Sequence, residues 1–179
     1  MAISDIPEEG RWGILSGLID DNFSDLEGRT GWGSYSDTAY TSGSPFALTA
    51  NTDTVLPNNK GTVIETQKPL DVATFYDGTV ITGRNGDGLS LTLECTVEPA
   101  SGTNTYFEIW VDIGGSVGKL YPRTIPFVKG VTAYSLNVSF TAYTLDTWQA
   151  NGGTVYVRSN TNCDIYGIRY VLTRTHRAR

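Results

Sequence analysis

The side chains that most often carry catalysis are few in this sequence. It has one histidine, His176, which lies among arginines close to the end of the printed sequence. A general base needs a fixed orientation toward the group that it deprotonates, and this position offers little to provide it. Arrangements of the Ser-His-Asp and Cys-His kinds are therefore not expected. The sequence predicts a protein that is not an enzyme and has no catalytic residues.

Carboxylates could in principle supply glycosidase chemistry, which needs two acids that face each other. Glu94 and Glu98 share one face of a predicted strand, and Glu108 and Asp112 share one face of the next. A polar stripe that faces solvent explains the same spacing better. The glycine-rich "GRNGDG" lacks the Lys-Ser/Thr of a phosphate-binding loop and does not open a helix, so a nucleotide site is not expected.

Metal binding has weak support. The stretches "NGDGLS" and "TFYDGTVITG" could offer oxygen ligands to calcium, but ordinary hairpin turns account for the same residues. Two cysteines and one histidine cannot form a conventional zinc site. Alternation places Cys95 with Leu91 and Leu93, which predicts a buried free thiol, while its pairing with Cys163 stays open. No metal and no cofactor is predicted.

Aromatic residues are the remaining candidates for ligand contact. Such rings can stack on sugars, but they are also common on sheets and in subunit interfaces. A carbohydrate site is therefore an alternative hypothesis, with Trp110, Trp148 and Tyr156 as its candidate contacts. The wider set of aromatic residues considered is Trp32, Tyr35, Tyr40, Trp110, Trp148 and Tyr156.

The elements that would position these side chains are β-strands. In "LSLTLECTVEP" (89–99) apolar and polar residues alternate with a period of two, and the same alternation runs through "TYFEIWVDIGG" and "AYSLNVSFTAY". Turn sequences such as "NGDG", "SGTN" and "NGG" separate them. Shorter strands are predicted at "FALTA", "GTVIETQ", "GTVITG", "KLYPRTIPF", "GTVYVRSN" and "CDIYGIRYVLTRT".

This pattern predicts a mainly β fold. Eight to ten strands, each with one buried face, favour a two-sheet antiparallel sandwich, and a jelly roll suits the length and the strand number. No helical interval separates the strands, which argues against a βαβ fold. We expect residues 31–179 to form this β domain, with a basic tail at its end.

Residues 1–30 show a different, helical period and are predicted to be a short α-helical anchor or oligomerisation segment. Their apolar residues step by three and four and form one stripe, and Asn22 lies beside that stripe. Three glycines and the short length make an isolated helix marginal. The stripe should therefore pack against copies of itself or against a larger body. Its apolar members are Trp12, Leu15, Ile19, Phe23 and Leu26.

Charge is distributed unevenly along the chain. Residues 1–30 carry seven acids and two arginines, whereas residues 169–179 carry four arginines and no acid. The protein has a formal net charge of −6, so a nucleic-acid partner is not expected. No apolar run is long enough for a transmembrane helix, and no membrane partner is expected. We predict that Arg174 and Arg177 contact a protein neighbour instead.

Three stretches of the chain resemble known proteins. "LIDDNFSDLEGR" resembles the "I-N-D-N-F-x-E-L" openings of tailed-bacteriophage virion proteins, and "GWGSYSDTAYTSGSPFAL" follows it. The stretches "LPNNKGTVIETQKPLDVATFYDGTVITGRNGDG" and "YTLDTWQANGGTVYVRSN" resemble the tumour-necrosis-factor-like jelly roll of phage virion proteins. The motifs are turns and packing positions rather than a catalytic signature.

The resemblance implies a homotrimeric virion structural protein. Because the chain has no repeat from which a fibre shaft could be built, the expected role is a decoration or cementing protein on the outside of the capsid. Its partners would be its own copies and the major capsid protein or another virion protein. The alternative that the resemblance leaves open is a tail-fibre or tail-tip module that recognises a host glycan.

Overall fold

The computed structural model describes residue 19 and residues 29–178. Within residues 29–178, ten strands and one short helix follow each other in this order: β1 (Gly31–Ser36), β2 (Phe46–Leu48), β3 (Thr54–Val55), β4 (Thr62–Ile64), β5 (Gly88–Pro99), β6 (Tyr106–Asp112), β7 (Lys119–Pro126), β8 (Tyr134–Tyr143), α1 (Asp146–Asn151), β9 (Thr154–Ser159) and β10 (Cys163–His176). All strand pairs are antiparallel.

The strands form two sheets whose order is that of a jelly roll. The larger sheet runs β4-β1-β10-β5-β8, with β2 also paired to β10, and the smaller sheet runs β3-β9-β6-β7. The chain therefore crosses from one sheet to the other on either side of β3, between β5 and β6, between β7 and β8, and on either side of β9. The predicted mainly β, two-sheet jelly-roll sandwich is confirmed by this strand order.

The core lies between the two sheets and follows the alternation in the sequence. On β5 the odd-numbered residues Leu91, Leu93, Cys95 and Val97 are buried, while the even-numbered residues between them are only half-buried. Residues of the smaller sheet complete the same cluster, including Ile109 of β6. Burial of one face of each strand is what the period-two pattern predicted.

Strands β1 and β3 were not predicted from the sequence, and two further details differ. The stretch "GTVITG" (78–83) is not a strand: its Ile81 makes only isolated bridges to Tyr76 and Gly153. Helix α1 was not predicted, because six residues are too few to show a helical period. Both features lie at the same end of the sandwich, where Trp148 of α1 donates a hydrogen bond from Nε1 to the carbonyl of Ile81 at 3.0 Å.

The long strand β10 is interrupted by a β-bulge. Its register against β5 shifts between Tyr166 and Arg169, and Gly167 inside the bulge has a φ of 63°. A residue without a Cβ adopts this left-handed conformation at little cost. The bulge lets the loop after β1 reach β10, because the Gly167 N–H donates to the Tyr40 carbonyl at 3.3 Å.

The predicted N-terminal helical segment falls almost entirely outside the described residues. Of its stripe only Ile19 is described, with a helical backbone and a side chain that is 50% exposed. Trp12, Leu15, Asn22, Phe23 and Leu26 lie outside the described residues, so the segment and its role in assembly stay predictions. Among the described residues no helix is long and apolar enough to cross a membrane.

Candidate functional site

The three aromatic residues predicted to contact a glycan have different surroundings. Trp148 lies in the core and is only 4% exposed, and its indole N–H donates a hydrogen bond to the Ile81 carbonyl. Gly153 lies so close to its ring that an added Cβ would be 2.7 Å from Trp148 Cζ2. Trp148 therefore supports α1, which corrects its assignment as a ring available to a ligand.

Trp110 lies on the outer face of the smaller sheet, as the alternation predicted, but its ring is covered. Tyr156 of β9 stacks on one side of it, with centroids 5.7 Å apart and planes 13° from parallel. Lys119 of β7 places Nζ 3.8 Å from the ring centroid and donates to Glu108 Oε1 at 2.7 Å. A ligand would have to displace Lys119 to stack on Trp110.

Tyr156 is half-buried and faces a pocket of about 510 Å3. The pocket opens between β9 and the loops that follow β1 and β3, and Tyr40 and Val55 also line it. Tyr156 is thus the predicted glycan contact that the structure leaves accessible. Tyr40, which was among the aromatic residues considered, is brought beside the same pocket.

Asp37 organises the loop that forms one side of this pocket. Its Oδ1 accepts the N–H groups of Ala39 and Tyr40 at 2.8 and 2.7 Å, and its Oδ2 accepts the N–H of Asn59 at 2.7 Å. Three backbone donors occupy both oxygens, so the carboxylate holds two loops together rather than presenting a free charge.

A cluster of charged residues lies near the first residue of β1, at the other end of this strand from Asp37, and beside the end of β10. Arg174 is 1% exposed, and its guanidinium makes two hydrogen bonds to Asp71, from Nη2 to Oδ1 at 2.6 Å and from Nη1 to Oδ2 at 3.1 Å. Its Nη1 also lies 3.4 Å from Asp87 Oδ2, and its Nε donates to the carbonyl of Arg29 at 2.8 Å. A buried guanidinium is stable only when it is paired in this way.

Two further arginines complete the cluster at its exposed side. Arg84 Nη2 lies 3.1 Å from Asp87 Oδ1, and Arg177 Nε lies 3.2 Å from Asp71 Oδ2. The hydrogen bonds from Arg174, helped by the charges of Arg174 and Arg177, hold the pKa of Asp71 below its ordinary value even though partial burial opposes the shift. The cluster joins the start of β1, the loop before β5 and the end of β10.

The predicted contact residues Arg174 and Arg177 are thus both engaged within the fold. Arg174 has almost no surface with which to touch another protein, whereas the side chain of Arg177 is 31% exposed. Their contact with a virion partner stays a prediction, and the structure gives Arg174 a structural role instead.

A cavity of about 290 Å3 adjoins this cluster and is walled by apolar residues such as Val72, Phe75 and Leu89.

The carboxylates considered for glycosidase chemistry do not face each other. Glu94 and Glu98 lie on β5 in the larger sheet, and Glu108 and Asp112 lie on β6 in the smaller sheet. All four alternate with core residues, so the two pairs point to opposite outer faces of the sandwich. Their partners are ordinary surface contacts: Arg169 lies 3.3 Å from Glu94, and Tyr166 donates to Glu98 at 2.8 Å.

His176, the cysteines and the possible metal ligands are also placed. His176 is exposed at the end of β10, with its ring centroid 6.5 Å from that of Tyr143.

Cys95 and Cys163 are both buried and free, as predicted for Cys95, and burial raises the pKa of the Cys95 thiol to about 12. Within residue 19 and residues 29–178, no group of three or more His, Cys, Asp and Glu side chains is placed to hold a metal ion.

The outer face of the larger sheet is lined mostly by short hydroxyl and amide side chains. On β5 and β8 these point away from the core, and Thr92 and Ser139 are bonded across the strands at 3.0 Å between their hydroxyl oxygens. The ion pair of Arg169 with Glu94 lies on this face. The members on β5 and β8 are Ser90, Thr92, Thr96, Ser135, Asn137, Ser139 and Thr141.

Sequence reasoning missed the acidic partners of Arg174, namely Asp71 and Asp87, and it also missed Arg84, which pairs with both acids. One signal for the buried arginine was present: Tyr170, Leu172 and Arg174 alternate along β10, which places the arginine on the inward face. A charged residue at an inward position requires a buried counter-ion. The identity of that counter-ion could not be read, since Asp71 lies in a loop without periodicity.

Comparisons with known proteins give similarity in structure only. No protein-family model and no curated protein matches the sequence. Among solved structures, the PRD1 vertex protein P5 is 10% identical with a TM-score of 0.46, covering 83% of this chain and 97% of that one. The Eiger TNF structure from S. frugiperda is 10% identical with a TM-score of 0.47, covering 84% and 95%.

A third solved structure, of the infectious bursal disease virus Gt strain, is 9% identical with a TM-score of 0.31, and covers 80% of this chain and 50% of that one. At such identities and scores the likeness says nothing about activity. The jelly-roll assignment therefore rests on the strand order of this chain itself.

Proposed function

We propose that this protein is a bacteriophage virion structural protein, and specifically a homotrimer that decorates the exterior of the head and contacts the major capsid protein. It acts by binding and not by catalysis, without nucleic acid, membrane or cofactor. The proposal is supported by the virion-like stretches in the sequence and by the jelly-roll strand order, which accounts for the turns that carry the resemblance.

The observation that carries the proposal is the outer face of the larger sheet. The cores of protein interfaces are depleted in charged residues, and the described residues of β5 and β8 place mainly hydroxyl and amide groups on this face. Short side chains also allow the backbone of another chain to approach closely. The charged groups of this face are partnered within the chain, since Glu94 pairs with Arg169 and Glu98 accepts from Tyr166, so the desolvation cost of contact between copies falls mainly on uncharged groups.

A decoration protein stabilises a shell by mass action. If the trimer binds several capsid subunits only in their mature arrangement, its binding energy adds to the stability of that arrangement. Three linked binding surfaces raise the avidity above that of a single chain, because the second and third contacts are intramolecular. No change within the decoration protein is needed for this effect.

The oligomer can be tested by sedimentation equilibrium at micromolar concentration. The wild-type protein should have the mass of three chains, and Thr92→Arg, which places a charge at the centre of the proposed interface, should lower it to one. Thr124→Arg on the outer face of the smaller sheet is the matched control and should leave three chains. A single-chain wild type would contradict the trimer in solution, and a trimeric Thr92→Arg would contradict this face as the interface.

The location can be tested with the particle itself. Protein added to shells from which it has been removed should rebind and raise their melting temperature, whereas Thr92→Arg should do neither. Electron cryomicroscopy of the virion should then show density for the trimer on the head. Density confined to the tail would contradict the decoration role.

A tail-fibre or tail-tip module that binds a host glycan is the second candidate. The pocket beside Tyr156 favours it, since this pocket contains an accessible aromatic ring among the predicted sugar contacts. Tail density in the same microscopy experiment would support this candidate over the first.

A further inference from the structure

We propose that the pocket lined by Tyr40 and Tyr156 binds a neutral saccharide unit. The site deepens the receptor-binding candidate for function, and it does not require the trimer. Its volume of about 510 Å3 falls within the range of about 300–1,000 Å3 that small-molecule pockets occupy. The ligand class follows from the stacked tyrosine, from the unbonded hydroxyl groups and from the charge of the pocket lining.

Tyr156 provides a rigid aromatic surface. Its ring stacks on the ring of Trp110. Lys119 covers the Trp110 ring with its ammonium group and is itself fixed by a hydrogen bond to Glu108. A side chain that is already ordered loses little conformational entropy when a ligand binds. Tyrosine also combines an apolar ring with a polar tip, which suits the mixed surface of a sugar.

Tyr40 also lines the pocket and is held in place by its own contacts. Its N–H donates to Asp37, its carbonyl accepts from Gly167, and its ring packs edge-on against Phe46 with centroids 5.3 Å apart. The β-bulge at Gly167 of β10 therefore helps to fix the backbone of Tyr40. The two tyrosines are held by separate elements, so the pocket is preformed.

Four hydroxyl groups at the pocket lack a hydrogen-bond partner among the described residues. They belong to Tyr40, Thr79, Thr154 and Tyr156, all of which line the pocket. Each hydroxyl can donate one hydrogen bond and accept others. A polyol presents donors and acceptors of the same kind along its ring, so it can pair with several of these groups at once.

The charge of the lining disfavours ionic ligands. The pocket lining contains no lysine, arginine or histidine, so it offers no positive charge to a phosphate, sulfate or carboxylate. Asp37 is the acid in this lining, and three backbone N–H groups already occupy its oxygens. Both of its oxygens are thus engaged by the loop backbone, and a neutral sugar is the ligand that the lining fits.

Saturation-transfer NMR on the full-length protein tests the site. The probes are glucose, galactose, mannose, N-acetylglucosamine and their short oligomers, with sialyllactose as an anionic comparison. At least one neutral saccharide should show transfer at millimolar concentration and should outcompete the sialylated one. Tyr156→Ala should weaken its binding by at least tenfold, and Thr79→Val, which removes one hydroxyl at similar volume, should weaken it several-fold.

Tyr143→Ala is the matched control, since Tyr143 is 69% exposed on the larger sheet and lies outside the pocket. It should bind like the wild type. The proposal would be overturned if the wild-type protein bound none of the neutral saccharides. It would also be overturned if Tyr156→Ala and Thr79→Val both bound the saccharide as tightly as the wild type. If Tyr156→Ala melts at a much lower temperature, the Thr79→Val result decides. Failure here would leave the microscopy test of head or tail location unaffected.

Discussion

Arg174 and Asp71 form a two-point pair in which Nη2 and Nη1 of the arginine lie 2.6 and 3.1 Å from the two carboxylate oxygens. The pair links residues 103 positions apart in sequence. It fastens the end of β10 to the loop that precedes β5. Because the guanidinium is buried, this pair differs in kind from the surface ion pairs of the same molecule.

Removal of the buried cation should destabilise the fold strongly. Arg174→Ala leaves Asp71 and Asp87 without their central partner, and breaking a buried pair from one side costs about 3–5 kcal/mol. Urea unfolding measures the loss. Arg158→Ala, which removes the exposed pair with Asp53 on the smaller sheet, is the control and should cost about 1 kcal/mol or less. Equal losses in the two variants would contradict a structural role for Arg174.

Stability should fall in acid through Asp71. Its pKa is lowered in the folded state from an ordinary value of 3.8, so its ionised form stabilises the fold above that value. This contribution is lost as the pH falls below 3.8 and through the lower folded pKa. The free energy of unfolding measured from pH 6 to pH 2 should therefore decrease, and Asp71→Asn should flatten the curve.

Glu65 must be separated from Asp71 in that experiment. Burial alone would raise the pKa of Glu65, but hydrogen bonds from the hydroxyls of Tyr35 and Thr74 outweigh it and lower the pKa. Glu65→Gln should remove a further part of the slope. An unchanged slope in Asp71→Asn would contradict the role given to Asp71.

Removal of Lys119 should uncover the ring of Trp110. In Lys119→Ala the indole loses the ammonium group above it, so acrylamide should quench tryptophan fluorescence more strongly than in the wild type. The cost in stability should be small, about 0.5–1 kcal/mol, as for a cation–π contact near the surface. In a Trp110→Phe background the added quenching should disappear, and its persistence would show that another tryptophan responds.

The two thiols should be unreactive in the folded protein. Burial raises the pKa of Cys95 to about 12 and also raises that of Cys163, so little thiolate forms at pH 8. A maleimide reagent should label neither residue in buffer and both in urea, as read by mass spectrometry. Rapid labelling of Cys95 in buffer would contradict its burial in the core.

The fold was readable from the sequence where alternation was long. Strands β5, β6 and β8 each contain several repeats of the period-two alternation, and the structure places their alternating apolar residues inward as expected. Short elements were less accessible: β3 has two residues and α1 has six, which is too little for either period to appear. The stretch at 78–83 was mistaken for a strand because its residues favour strands, although it forms only isolated bridges.

The candidate site was less predictable than the fold. Composition identified Tyr156 and Trp110, but it could not distinguish an accessible ring from one covered by Lys119 on a neighbouring strand. The presence of Tyr40 beside the same pocket as Tyr156 depends on a loop that Asp37 and the β10 bulge position together. Contacts between residues so distant in sequence arise from tertiary structure and leave no local pattern.

The place of β10 has a consequence for biosynthesis. This strand lies between β1 and β5, so the larger sheet is incomplete until the ribosome has delivered β10, after the other nine strands. Until then the inward residues of β1 and β5 have no neighbour between them, and the nascent chain exposes unpaired strand edges. Because these pairings span most of the sequence, closure of the sandwich is slow and waits until β10 has left the ribosome.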